Sequence, residues 1–201
     1  MKDKNKKLGV ILLGAGNSRR FGGRKQFFKI NGEMMYLSMM KKLATIPNTE
    51  KILVTQFEEM KEEAKQYGFI PVMNEEPERG ISSSIRLGIQ ALYEKEQQFS
   101  GILFAVCDQP YLSLESLERL VNGYLNEKQK IACLSYEKEM GNPVIFHPDY
   151  KKELLDLTGD VGGKKVVKRH IEEVFFVEVK QKRELFDIDE KQDVEKGNEI
   201  F

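Results

Sequence analysis

Cysteine, histidine, net charge and long apolar runs are all scarce in this chain, and each scarcity closes off a class of function. Cys107 and Cys133 are the only cysteines in 201 residues. Two thiols make neither a disulfide framework nor a metal cluster, and they point to a reducing, cytoplasmic setting. The two histidines, His147 and His170, have no partner at metal-ligand spacing. Basic and acidic residues balance at 32 each. No global field therefore gathers nucleic acid or an anionic membrane, and any anionic ligand must be held by local groups. The longest apolar run is far short of a membrane span. Residues 1–7 are basic and are expected to be flexible, but the apolar stretch after them is too short for a signal-peptide core. There is no internal repeat, low-complexity tract or long linker.

What is present is an alternation of strand and helix patterns. Leu8 to Leu13 reads as a buried strand, and Phe27 to Glu33 as a hairpin turning at Asn31-Gly32. Met34 to Ile46 is predicted helical, with Met35, Met39, Leu43 and Ile46 on one core-facing stripe. Lys51–Thr55 and Phe69–Met73 are further strands around a helix from Phe57 to Tyr67, and Pro71 hints that the second is an edge. A helix opens at Gly80, and Gly101 to Val106 is apolar enough to be covered on both faces. Ser113 caps the next helix. Strands follow at Lys130–Ser135, Gly141–Phe146 and Glu173–Val179, with helices from about Pro148 to Leu157 and up to His170, and an acidic helix at the end. Hydrophobic content of 40% and charged content of 32% fit a globular chain. The pattern predicts an α/β fold, a three-layer, Rossmann-like, mostly parallel sheet that binds ligands at the carboxyl ends of its strands.

The chain is organised around the loop after the first strand, Leu13-Gly14-Ala15-Gly16-Asn17-Ser18-Arg19-Arg20-Phe21-Gly22-Gly23-Arg24-Lys25. Small residues let backbone N–H groups approach a ligand, and fixed cations suit phosphates. The loop has neither the G-x-x-x-x-G-K-[ST] nor the G-x-G-x-x-G spacing. A second anchor is Asp108, a carboxylate at the end of a buried strand just before Gln109-Pro110, costly there unless it caps a helix or binds a metal. Asp187-Ile188-Asp189, read as another strand end, is a further acidic candidate; Asp189 alternatively caps the last helix. Cys107 reads as a small buried hydrophobe.

The spacing L-x-A-G-x-S-x-R-x-G-x-x-K resembles the signature of the nucleotidyltransferases of glycosyltransferase-A type, in their molybdenum cofactor branch. The resemblance runs from Leu8 to about Asp193 and implies a nucleotide-diphospho-sugar-transferase type of fold. One nucleotidyltransferase domain would then cover 8–201, with a nucleotide half to about residue 110 and an acceptor half from about 111. Leu13 to Ser18 would hold the nucleotide, Gly16 to Ser18 giving backbone donors to the triphosphate. Arg20 and Lys25 would neutralise charge on the α-phosphate and the departing pyrophosphate. Lys25 is expected on a solvent-facing loop, so that Lys25→Ala would lose turnover and stay folded. Asp108 matches an aspartate that binds Mg2+ in a G-D-x-P setting, with Cys107 in place of the usual glycine. Asp189, or else Asp187, would be the second ligand; the family's D-I-D-T-P-x-D is matched without its Thr-Pro. Asn74, Gly80 and Ser84 would flank base and ribose, while Asn142, Pro143 and Asp160 would face the acceptor, a pterin with a terminal phosphate. Arg19 and Arg24 fall on variable positions and are either supporting charge or solvated surface.

The residues before Gly16 bear on the base. Guanylyltransferases of the family show L-A-G-G and cytidylyltransferases A-A-G, against Gly14-Ala15 here. The methyl of Ala15 narrows the pocket toward a pyrimidine, and Gly14 returns some room. The expected reaction is CMP transfer from CTP to molybdopterin, giving the cytosine dinucleotide cofactor and pyrophosphate, with a molybdenum hydroxylase as recipient. The alternatives are GTP as donor, a phosphorylated sugar or polyol as acceptor, and a non-catalytic accessory protein that delivers the finished cofactor.

Overall fold

The computed structural model describes residues 7–95 and 98–199. The basic segment expected over 1–7 lies outside them except for Lys7, whose ammonium pairs with Glu50 at 3.0 Å. In chain order the elements are β1 (Leu8–Leu13), β2 (Lys29–Ile30), β3 (Glu33–Met34), α1 (Met35–Ala44), β4 (Thr49–Thr55), α2 (Met60–Gln66), β5 (Phe69–Met73) and α3 (Ile81–Lys95). After them come β6 (Gly101–Val106), α4 (Leu114–Asn126), β7 (Ile131–Tyr136), β8 (Glu139–Phe146), α5 (Lys151–Leu155), α6 (Lys164–Arg169), β9 (Val174–Glu178) and α7 (Lys191–Glu199).

Seven strands form one sheet in the order β5-β4-β1-β6-β8-β7-β9. β8 alone among them runs antiparallel to its neighbours. β5, with Pro71 and its missing N–H, is an edge strand as the sequence suggests. The apolar runs of β1 and β6 are explained by cover on both faces. On one side Val10, Leu12, Leu103 and Ala105 meet α1, α2 and α4 through Met39, Leu43, Met60 and Leu120. On the other Ile11, Ile102 and Phe104 meet α3, α5 and α6 through Ile85, Leu154 and Val166. Burying each of these side chains larger than alanine stabilises the fold by roughly 1.5–3 kcal/mol. A methyl on Gly88 would come 2.6 Å from Ile11, so its absence lets α3 lie close over β1.

Three sequence expectations change in detail. The helix expected over Phe57–Tyr67 is confined to Met60–Gln66. The one expected from Pro148 divides into a 3-10 turn over Pro148–Tyr150 and the short α5. Asp187-Ile188-Asp189 does not end a strand: Lys182–Leu185 is a 3-10 turn and the acidic segment after it is irregular. What fixes that segment is Ile188, fully buried with Phe21, Ile30 and Met35 in a third apolar cluster, while its N–H donates to the Asp108 carbonyl at 2.9 Å.

The parallel register carries β1 and β6 to a common level, Leu13 opposite Val106. From β1 the chain winds to β4 and β5 on one side, then crosses back through α3 to β6 on the other. The reversal of strand order thus falls between the carboxyl ends of β1 and β6, where open α/β sheets take ligands.

Candidate active site

At that point the loop after β1 is shaped by two glutamines. Gln56 Nε2 donates to the Ala15 carbonyl at 2.8 Å, and the buried Gln26 donates to the Gly16 carbonyl at 2.7 Å. Ser18 takes a left-handed φ of 50° and gives its hydroxyl to Gln26 Oε1 at 3.2 Å. With the carbonyls engaged, the N–H groups of Gly16, Asn17 and Ser18 have no acceptor among the described residues. A run of outward N–H donors in a turn is a concavity for an anion.

The loop ends in a 3-10 turn, Lys25–Phe27, that aims Lys25 back under it. Its ammonium lies 2.7 Å from Asp108 Oδ2 and 3.0 Å from Asp189 Oδ1, and Arg20 meets Asp189 Oδ2 at 2.7 Å. Lys25 is only 9% exposed, which corrects the expectation of a solvent-facing side chain. Burial pulls its pKa down, but the charges of Asp108 and Asp189 and their hydrogen bonds outweigh this and hold the ammonium above its ordinary value. Asp108 Oδ1 is buried and accepts no hydrogen bond among the described residues. Asp187 stands apart, exposed and absent from the cleft wall.

These groups border a cleft of about 310 Å³. Its wall brings together twelve of the residues singled out in the sequence: Leu13, Ala15, Gly16, Asn17, Ser18, Arg20, Lys25, Gly80, Ser84, Asp108, Asp160 and Asp189. Four others lie outside it. Gly14 is buried against Cys107, Met60 and the Val54 carbonyl. Asn74 is buried too, its amide donating to Ser83 and Ser84 at 3.0 and 2.9 Å, so it braces the start of α3. Asn142 and Pro143 sit within β8, just past the last pair with β6, Phe104–Val144. Asp160 is closer to the loop after β5 than its place in the chain suggests. Gly80 has φ 84°, and a Cβ there would lie 2.4 Å from Gly159 and 2.5 Å from Asp160 Oδ1.

The two undecided arginines divide. Arg19 lines the cleft. Arg24 is held away from it, 4.0 Å over the Phe27 ring and 4.7 Å over Phe57, with Glu59 at 2.9 Å. Sequence reasoning missed Gln26, Met35 and Glu78. Gln26 carries no motif, Met35 reads as core, and Glu78 is one of several acids in a polar loop.

A family model described as a MobA-like NTP transferase domain matches residues 10–174. The chain belongs to that family. A relative from Geobacillus sp., called a probable molybdenum cofactor guanylyltransferase, is 32% identical over 144 residues, 71% of each chain. Another of the same description, from Thermococcus sibiricus, is 24% identical over 151 residues, 75% of this chain and 71% of the relative. The crystal structure of Rv0371c from Mycobacterium tuberculosis superposes with a TM-score of 0.81 at 22% identity, covering 96% of this chain and 98% of that one. A manganese complex of the same mycobacterial protein gives 0.64 at 20% identity, over 87% and 88%. These likenesses establish the shared fold.

In this nucleotidyltransferase the carboxylates fit a divalent cation of the hard, oxygen-binding kind. No group of three or more metal-binding side chains occurs among the described residues. A pair of carboxylates is nonetheless sufficient where phosphate oxygens and water complete the shell. The buried, unpartnered Asp108 Oδ1 is an acceptor that such an ion would satisfy. Among the described residues no helix is long and apolar enough to cross a membrane.

Proposed function

We propose that this nucleotidyltransferase moves a nucleoside monophosphate from a magnesium-bound nucleoside triphosphate to the terminal phosphate of molybdopterin. The observation that carries the reading is the meeting of Lys25 and Arg20 with Asp108 and Asp189 beneath a loop of unengaged N–H donors. An oxygen of the acceptor phosphate bonds to the α-phosphorus as its bond to the bridging oxygen breaks, and pyrophosphate leaves. The acceptor is already anionic, so no general base is required. The loop N–H groups position the triphosphate, while Lys25 and Arg20 neutralise charge on the leaving pyrophosphate. Asp108 and Asp189 would hold the metal, which screens the phosphates from one another when bound. The nucleotide half would span about 8–110 and the acceptor half about 111–201, with Asp160 reaching the acceptor.

Two donors have specific support. Curated relatives called guanylyltransferases favour GTP. Glu78, an acceptor-only carboxylate on the cleft wall, is chemically compatible with it: guanine offers N1–H and N2–H2, cytosine only N4–H2. CTP is favoured by the methyl of Ala15 on the wall, and the room expected from Gly14 is filled by Cys107. Pyrophosphate release with each nucleotide, in the presence of molybdopterin and magnesium, separates the readings. Release with GTP alone selects the guanylyltransferase, and release with CTP alone the cytidylyltransferase. No release with any nucleotide removes the catalytic proposal in favour of cofactor delivery.

A further inference from the structure

Lys25 and a metal ion lay claim to the same oxygens. Its ammonium bridges Asp108 Oδ2 and Asp189 Oδ1, and Arg20 takes the other oxygen of Asp189. Two carboxylates and two cations thus make a cluster that is electrically closed. A divalent ion joining it would lie against the ammonium across shared oxygens, a repulsion magnified by the burial of Lys25. Asp108 Oδ1 is the exception, buried and without a donor.

The geometry points to Lys25 as a resident placeholder for the catalytic cation, exchanged when polyphosphate arrives. In the free protein the ammonium holds the two aspartates together and keeps a divalent ion from bridging them. The unpartnered Asp108 Oδ1 gives the incoming ion its first contact. Phosphate oxygens then offer Lys25 a new partner, so the lysine moves from carboxylate to phosphate as the ion takes its former place. Polyphosphate and metal therefore enter together, and the lysine that would neutralise the leaving group is delivered by the same exchange. This inference rests on the assignment of Asp108 and Asp189 as metal ligands, and its test uses no turnover and no nucleotide.

The test is Mn2+ binding to the nucleotide-free protein, followed through the electron paramagnetic resonance of free Mn2+. Lys25→Gln is expected to bind Mn2+ at least tenfold more tightly than wild type. Arg19→Gln removes the same charge from the cleft wall without touching either aspartate, and should change affinity by less than threefold. An equal gain in both variants would reduce the effect to net charge and overturn the exchange; so would no gain in Lys25→Gln. Wild-type protein gives a second measurement that does not depend on the variant folding. Acetylation of Lys25 by acetic anhydride, read by peptide mass spectrometry, should be slow in the free protein and at least fivefold faster once Mn2+ alone saturates the site, where no phosphate is present to take up the displaced ammonium. A lysine that stays protected while Mn2+ is bound would show that the two do not exchange. Loss of the nucleotidyl-transfer proposal would appear separately, as absent pyrophosphate release.

Discussion

A methyl group on Gly14 would sit 3.0 Å from the sulfur of Cys107 and 3.2 Å from the end of Met60. The two positions at which the strand ends depart from the family's pattern are therefore contact partners. One has lost a carbon where the other has gained a side chain. Register explains the meeting, since Leu13 and Val106 are level and the next residue of each strand therefore falls beside the other.

Gly14→Ala should destabilise the protein by about 1–2 kcal/mol through overpacking. Cys107→Gly should cost about as much through the void it leaves. The double variant should recover at least about 0.5 kcal/mol relative to the sum, the coupling expected of residues in contact. Urea denaturation of all four proteins measures this, and strict additivity would deny the pairing.

Lys25→Ala and Arg24→Ala should separate two cations that lie side by side in the chain. Removing Lys25 should lower the turnover number for pyrophosphate release by about 10²–10³, as loss of a charge aimed at the leaving group does. It should also destabilise the metal-free protein by about 1–2 kcal/mol, because Asp108 and Asp189 are left facing each other. Arg24→Ala should leave turnover within about threefold and cost about 1 kcal/mol from its contacts with two rings. Steady-state kinetics and thermal melts on the same preparations distinguish the pair.

Gly80→Ala should be costly for two reasons at once. Its φ of 84° with ψ of 177° is a glycine conformation, and the added Cβ would meet Gly159 at 2.4 Å. Strain of about 1–3 kcal/mol is expected. Relief would come by moving the 159–163 loop, so proteolysis within that loop should accelerate, and an unchanged cleavage pattern would show that it stays in place.

Glu184 gives a pH signature away from the cleft. It is 4% exposed and accepts from the N–H and hydroxyl of Ser113, the residue that caps α4. Burial pushes its pKa up, yet hydrogen bonds from Ser113 and Ser116 overcome this and hold the carboxyl below the ordinary 4.5. A lowered pKa in the folded state means that ionisation favours folding above that value, and that the benefit fades as pH falls through the folded-state pKa. Glu184→Gln should be less stable than wild type by about 1 kcal/mol at pH 7. The gap should close in acid, as urea midpoints measured from pH 7 to pH 3 would show.

Much of the scaffold was readable because buried parallel strands are apolar on both faces. β1, β5 and β6 match their expected residues, and Pro71 marks an edge because an edge can spare an N–H. The 187–189 segment misled for a related reason. Leu185, Phe186 and Ile188 look like a strand, but Leu185 packs onto the main core from outside the sheet, and Phe186 and Ile188 pack against Phe21, Ile30 and Met35 on the hairpin side. Residue types in the cleft were legible from motif spacing; their company was not. Lys25 lies 83 residues from Asp108 and 164 from Asp189, so its burial depends on a fold that local pattern cannot convey. Arg19 and Arg24 are alike in sequence and diverge where Phe27 and Phe57 offer Arg24 two ring faces and Glu59 a carboxylate. Asn74 was singled out by the family resemblance, and its bracing bonds to Ser83 and Ser84 carry no sequence signal of their own.

The hydrogen bond from Ile188 to the Asp108 carbonyl gives the order of synthesis a bearing on activity. The loop after β1 and the end of β6 are both made early, while Asp189 emerges from the ribosome long after them. Until it does, Lys25 has one of its two carboxylates and Arg20 has none. A growing chain thus carries all seven strands of its main sheet before it carries a complete charge cluster, and the cleft is finished only once the segment around Asp189 has been translated.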